Sequence, residues 1–349
     1  MPFVWSDDTL RHQPRHEVVA GKEVPATESP QRAMVIRGAL LAAGHRELPV
    51  RSYPDEALTA VHQPGLLQWL REASRAAGQY PVGSDRVVPD VFPTPMMTAG
   101  MPWRYPAAVQ AQAGVWCYDT MTHVGPRTWD AARASADVAL TATELIVSGT
   151  SRSAYALCRP PGHHATPAGY GGNCYLNNAA VAAQRLSALG VRVAVLDVDA
   201  HHGNGTQAVF WQRPDVFYGS VHVDPAAGWF PHVQGFADEI GDGAGTGTTR
   251  NEPLPAGSGD AEWLAALGRL TEEVLRFRAD ALVVSLGTDA SADEPGGPLR
   301  VSRAGFGRAG QILAGLGLPT VLVQEGGRHL PTLGRLVQGV LAGFATWNE

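Results

Sequence analysis

Short apolar runs alternate with longer helical patterns along this chain, and that alternation restricts its fold more than any other feature. The runs are Phe3 to Trp5, Ala154 to Cys158, Val193 to Leu196, Val216 to Val221, Ala281 to Leu286 and Thr320 to Val323. Helical patterns lie between them, among them Arg133 to Val147, Asn177 to Leu189, Asp260 to Phe277 and Arg303 to Leu316. Strand, helix, strand spacing of this kind means a parallel sheet wrapped by helices, so the expected class is α/β. A length of 349 residues suggests two domains on a simple prior, but no linker divides the chain and large α/β folds run this long as one. One domain over 1–349 is expected, with an inserted irregular loop at 83–106 whose seven prolines and glycines exclude a regular element.

Four of the runs end in chemically loaded residues. After Ala154 to Cys158 comes Arg159-Pro-Pro-Gly-His163-His164, and after Val193 to Leu196 comes Asp197-Val-Asp199-Ala-His201-His202-Gly-Asn204. Ala281 to Leu286 leads into Gly287-Thr-Asp289, and Thr320 to Val323 into Gln324-Glu325-Gly-Gly-Arg328-His329. In a parallel sheet these ends emerge on one rim, where ligands bind. Asp199 and His201, two apart on an extended segment, point the same way and can grip one cation. A carboxylate at the end of a buried strand needs a cation or donors, and Asp289 is the natural third ligand. One histidine and two carboxylates leave coordination positions for water and a substrate oxygen. His202 points the other way and reads as structural.

Composition narrows the class of protein. Hydrophobic residues make up 44% and charged residues 17%, as in a well-buried globular enzyme. A net charge of -6 with no basic run argues against nucleic-acid and membrane partners. The start shows no export signal, and no apolar run is long enough to cross a bilayer. Cys117, Cys158 and Cys174 are sparse and odd in number, which fits reduced thiols. A soluble cytoplasmic enzyme is expected.

The motifs Arg159-Pro-Pro-Gly-His-His, Asp197-Val-Asp-x-His-His-Gly-Asn-Gly-Thr, Ser285-Leu-Gly-x-Asp289 and Glu325-Gly-Gly occur in that order. By them the chain resembles the arginase/deacetylase superfamily in its histone deacetylase branch, and is similar to the bacterial acetylpolyamine amidohydrolases almost end to end. The resemblance implies a mainly parallel eight-stranded sheet flanked by helices, with Zn²⁺ held by Asp199, His201 and Asp289. It implies that Asp197 bonds one of the paired imidazoles and Asn204 the other. A carboxylate partner raises an imidazole's pKa and an amide does not, so the two can differ in protonation. His164 is assigned as general base, and His163, backed by Asp197, as electrostatic partner or acid. The resemblance further implies a structural K⁺ or Na⁺ near Asp197 and Ser220, and a homodimer paired through the 83–106 loop, which also narrows the entrance.

Two positions depart from the family pattern. Arg328 stands where a tyrosine hydroxyl normally donates to the substrate carbonyl; it can stabilise an oxyanion, anchor a carboxylate or phosphate, or pair with Glu325. Asn173, beside Gly172, replaces an aromatic wall of the acyl-lysine tunnel, while the facing Phe230 is kept. Gly172, Asn173 and Phe230 are the expected substrate contacts, with Glu17 where the polyamine enzymes attract a cation; the competing reading of Glu17 is a solvated loop glutamate. A second acidic position near Met121 is lost. The leading expectation is a zinc-dependent amidohydrolase acting on an N-acyl amide of a small, polar or anionic molecule. The alternatives are a weakly or non-hydrolytic zinc protein of this fold, as acyl-group binder or repurposed biosynthetic enzyme, and a manganese ureohydrolase, against which the Arg-Pro-Pro-Gly-His-His segment speaks.

Overall fold

Strands covered on both faces have no polar side to spare, and the central strands of this protein obey that rule. The computed structural model describes residues 1–78 and 86–346. Its strands are β1 (Pro2–Trp5), β2 (His16–Val19), β3 (Lys22–Pro25), β4 (Arg46–Pro49), β5 (Ser153–Ala156), β6 (Val193–Asp197), β7 (Val216–Val223), β8 (Thr249–Leu254), β9 (Ala281–Leu286) and β10 (Thr320–Gln324). Eight form one sheet in the order β4-β1-β5-β10-β9-β6-β7-β8, every ladder parallel, and β2 and β3 make a separate antiparallel hairpin. The α/β class and the eight-stranded sheet expected from sequence are both present.

Side chains of each strand alternate between two cores. Val4, Ala154, Val193, Val195, Val283 and Val321 face one, together with Ala132, Ala136 and Leu140 of the helix Thr128–Val147 and Ala179, Ala183 and Leu186 of Asn178–Ser187. Phe3, Tyr155, Leu196, Leu282, Val284 and Leu322 face the other, under the helices Pro30–Ala42, Asp260–Phe277, Arg303–Ala314 and Leu330–Thr346. The helix Asp260–Phe277 shows why it forms there: Trp263, Ala266, Leu267, Leu270 and Val274 recur at helical spacing and are buried, and Glu262 accepts the backbone N–H of Gly259 at its start.

Two edges escape the sequence reading, β4 and β8, each polar and each containing proline. Both are edge strands, where one side of the ladder is unpaired and an apolar pattern would invite aggregation. The irregular stretch expected at 83–106 also needs correction: residues 83–85 lie outside the described ones, and Pro95–Thr98 forms one helical turn. Thr94 caps it by accepting the Met97 N–H, and Pro95 supplies a preset φ at its first position. Among the described residues no helix is long and apolar enough to cross a membrane. The three cysteines are buried and form no disulfide.

Candidate metal centre

The four chemically loaded strand ends belong to β5, β10, β9 and β6, which are adjacent in the middle of the sheet. Parallel pairing carries all four to the same rim, so the loops converge on one crevice. Asp199, His201 and Asp289 meet there with one ligand atom each, all within 4.8 Å of one another. His201 Nδ1 lies 3.0 Å from Asp289 Oδ2 and 3.4 Å from Asp199 Oδ1. Backbone donors hold both carboxylates: Asp199 accepts from Gly326 N at 2.8 Å and His201 N at 3.0 Å, and Asp289 from Ala200 N at 2.9 Å.

The lack of a side chain at Gly326 is part of this geometry. A Cβ there would lie 2.5 Å from Asp199 Oδ2 and 2.6 Å from Asp289 Oδ2. Two buried carboxylates and an imidazole in such a cluster are a hard-to-borderline donor set, which suits a divalent ion such as zinc. Burial opposes a charge on His201, but its hydrogen bonds to the accepting carboxylates of Asp199 and Asp289 push its pKa up to about 9. A proton on His201 and a metal ion thus answer the same concentration of negative charge.

The histidine pair stands beside this cluster with its rings 3.9 Å apart between centroids. His163 Nδ1 is 2.9 Å from Asp197 Oδ2, and His164 Nδ1 is 2.8 Å from Asn204 Oδ1. Burial disfavours the charged form of both. Asp197 and Asp199 overcome it at His163 and push its pKa up to about 10. At His164 the neighbouring His163 adds to burial, and the pKa falls well below the ordinary value. The pair therefore holds one charged and one neutral ring.

Second-layer contacts fix the loops. Glu325, pushed up to about 7 by burial, accepts the backbone N–H groups of Gly162 and His163. Of the three roles open to Arg328, the pairing with Glu325 is not formed: no ion pair joins them within 4.0 Å among the described residues, and Glu325 is engaged by the histidine loop. Arg328 instead has its backbone N–H held by Glu294, 3.0 Å from each carboxylate oxygen. Arg159 donates to the carbonyls of Thr9, His12 and Ser29 and pairs with Glu28, which also pairs with Arg32. Ser220 lies across from Asp197 in register, its hydroxyl 2.8 Å from His222 Nδ1. His202 turns away, with Nε2 3.0 Å from Gln207 Oε1.

The expected substrate contacts divide. Gly172, Asn173 and Arg328 line the same cavity as His163, His164 and the acidic cluster. Gly172 has φ +59 and its missing Cβ would lie 2.2 Å from the His164 ring, so glycine alone fits. Phe230 packs edge-on against His164 at 4.7 Å. Glu17 does not line this cavity; it is buried in β2, not solvated in a loop, and accepts from Thr27 Oγ1 at 3.0 Å.

Sequence reasoning missed Tyr118 and Glu294. Tyr118 stacks near-parallel to Phe230 at 6.3 Å and donates its hydroxyl to the His164 carbonyl. Its sequence signal was the adjacent Asp119, which accepts from the N–H groups of Met121, Thr122 and Gly172 and so ties the tyrosine loop to the site. Glu294 had a weaker signal, a lone acid in the turn after Asp289.

Residues 26–344 match the family described as the histone deacetylase domain. The chain is similar to the acetylpolyamine amidohydrolase of Mycoplana ramosa, with 38% identity over 99% of this chain and 100% of that one. It is 41% identical to the acetylpolyamine amidohydrolase of Burkholderia pseudomallei, over 97% and 96% of the two chains. A crystal structure of an acetylpolyamine aminohydrolase from Burkholderia pseudomallei superposes with a TM-score of 0.93 at 39% identity, covering 99% of both chains.

Proposed function

The chain belongs to the histone deacetylase family, and on that premise we propose that it is a zinc-dependent amidohydrolase removing a short acyl group from a small-molecule amine. The observation that carries this reading is the pair of adjacent imidazoles, one backed by a carboxylate and one by an amide, beside three converging ligands. Asp199, His201 and Asp289 would hold the ion. Bound there, Zn²⁺ supplies Lewis-acid polarisation of the amide carbonyl and activation of water.

The chain's own groups do the rest. His164 is neutral; with Nδ1–H donated to Asn204 Oδ1, its Nε2 lone pair faces outward to take a proton from water. The tautomer follows from the hydrogen-bond network. His163 carries a proton that Asp197 stabilises, and it serves as the electrostatic partner or the acid for the leaving nitrogen. Arg328 replaces a neutral hydroxyl with a permanent cation beside the carbonyl position. Asp197 and Ser220 are the proposed neighbours of a monovalent cation.

The named relatives act on acetylated polyamines. In this chain the acidic lure for such a cation is weakened, since Glu17 is buried against Thr27. A polar or anionic amide is the substrate class we propose. Arg328 also favours a second reading, a deacetylase-fold zinc protein with little hydrolysis that binds an acyl group. Met96, Met97, Met101, Trp103 and Tyr105 are exposed on one loop, which supports a homodimer paired there, testable by light scattering.

The deciding assay offers the zinc-loaded protein an acetylated lysine peptide, acetylputrescine and N-acyl amino acids, alongside Arg328→Tyr. Turnover of any of these by the wild type supports the hydrolase. Inert wild type with an active tyrosine variant supports the non-hydrolytic reading.

A further inference from the structure

Building on the hydrolase reading, we infer that Asn173 and Arg328 form a carboxylate subsite and that the substrate is an N-acyl amino acid whose carboxylate lies close to the scissile nitrogen. Asn173 is only 7% exposed, lines the cavity, and its amide has no hydrogen-bond partner among the described residues. An amide left so keeps its donors and acceptor open to whatever enters the cavity. Its backbone is fixed at φ +63, a conformation asparagine tolerates, and its N–H donates to Thr122 Oγ1 at 2.8 Å.

Arg328 lines the same cavity. Glu294 anchors its backbone, while its guanidinium forms no ion pair within 4.0 Å among the described residues. A guanidinium and an amide on one cavity offer the planar donors that a carboxylate accepts. A cationic amine would instead meet a like charge.

The buried cation on this cavity, Arg32, is not free to meet an anion. It is engaged by Glu28 and by the carbonyls of Gly327 and Glu325. Arg328, by contrast, is exposed on this cavity, so an anion that it meets lies toward the solvent side. The charge therefore belongs on the amine side. Hydrolysis adds water across the C–N bond, its oxygen to the acyl carbon and a proton to the nitrogen, and yields a short carboxylic acid and a free amino acid.

The probe is 4-oxopentanoate, in which a methylene replaces the amide N–H of N-acetylglycine, so it binds without being cleaved. Its neutral counterpart is 4-oxopentanamide. Calorimetry with the zinc-loaded full chain should show the acid binding roughly ten- to a hundredfold more tightly than the amide. Arg328→Gln should erase that ratio and Asn173→Ala should reduce it, each variant first shown to keep stoichiometric zinc and wild-type circular dichroism. Equal binding of acid and amide by the wild type, or a ratio that survives Arg328→Gln, overturns the subsite even if the protein hydrolyses other amides. A ratio that behaves as expected without turnover of acetylated lysine peptide, acetylputrescine or any N-acyl amino acid upholds the subsite and removes the hydrolase reading.

Discussion

Replacing Gly326 by alanine tests the metal centre without touching a ligand. The new Cβ would sit 2.5 Å from Asp199 Oδ2 and 2.6 Å from Asp289 Oδ2. A relaxed carbon–oxygen contact needs about 3.3 Å, so the Asp199 oxygen must retreat by about 0.8 Å and the Asp289 oxygen by about 0.7 Å. Metal–ligand distances tolerate about 0.2 Å. Both carboxylates are buried and held by backbone donors, so neither can swing away freely. The φ at Gly326 is not positive, which leaves steric contact with the ligands as the cause of any effect. Zinc affinity, measured by competition with a fluorescent chelator, should fall about 10- to 100-fold while the fold persists. Gly172→Ala is a comparison that spares the ligands: it adds strain at φ +59 and its Cβ strikes the His164 ring, so zinc binding should stay and turnover should drop. Unchanged zinc affinity in Gly326→Ala would show that the cluster is not the ion's place.

Asp289→Ala should bind less than stoichiometric zinc by elemental analysis, and full occupancy would sink the ligand set. Asn204→Ala removes the acceptor that orients His164 and should lower kcat at least about tenfold with zinc retained; unchanged kcat would deny His164 its role as base. His62 tests stability against pH. Burial holds its pKa down at about 4, its Nδ1 lies 3.0 Å from the Thr166 carbonyl, and its Nε2 accepts from Asn177 N. A folded value below the unfolded 6.5 means that the unfolded chain binds the extra proton, so stability is complete above pH 6.5 and is lost on descent to pH 4. That loss is about 3 kcal/mol. Chemical denaturation at pH 7 and pH 4.5 should show a smaller acid loss in His62→Gln than in the wild type; equal losses would refute the assignment.

The central sheet was legible because burial on both faces leaves one kind of sequence. Val193 to Leu196 and Ala281 to Leu286 are apolar at nearly every position; the second reappears with both ends as written, and the first runs one residue further, to Asp197. The edges were not legible, since β4 reads Arg-Glu-Leu-Pro and β8 reads Thr-Arg-Asn-Glu-Pro-Leu, patterns common to loops. Within the site, residues two or three apart on one strand end could be paired from spacing, as with Asp199 and His201. Tyr118 could not, because its neighbour Phe230 is more than a hundred positions away and only the folded loops bring the rings together. The fate of Glu325 turned on backbone donors, which no side-chain pattern records.

The four strands whose ends build the site occupy the middle of an eight-stranded sheet, with two further strands on either side. Local opening begins at poorly protected margins and reaches the interior last. Fraying of β4 or β8 leaves β5, β10, β9 and β6 paired, so the crevice persists through partial unfolding. Amide exchange at Val195, Val284 and Leu322 should then be the slowest in the protein. The loops that carry Asp199, His201 and Asp289 therefore rest on strands that open last, and the ligands keep their places while either edge frays.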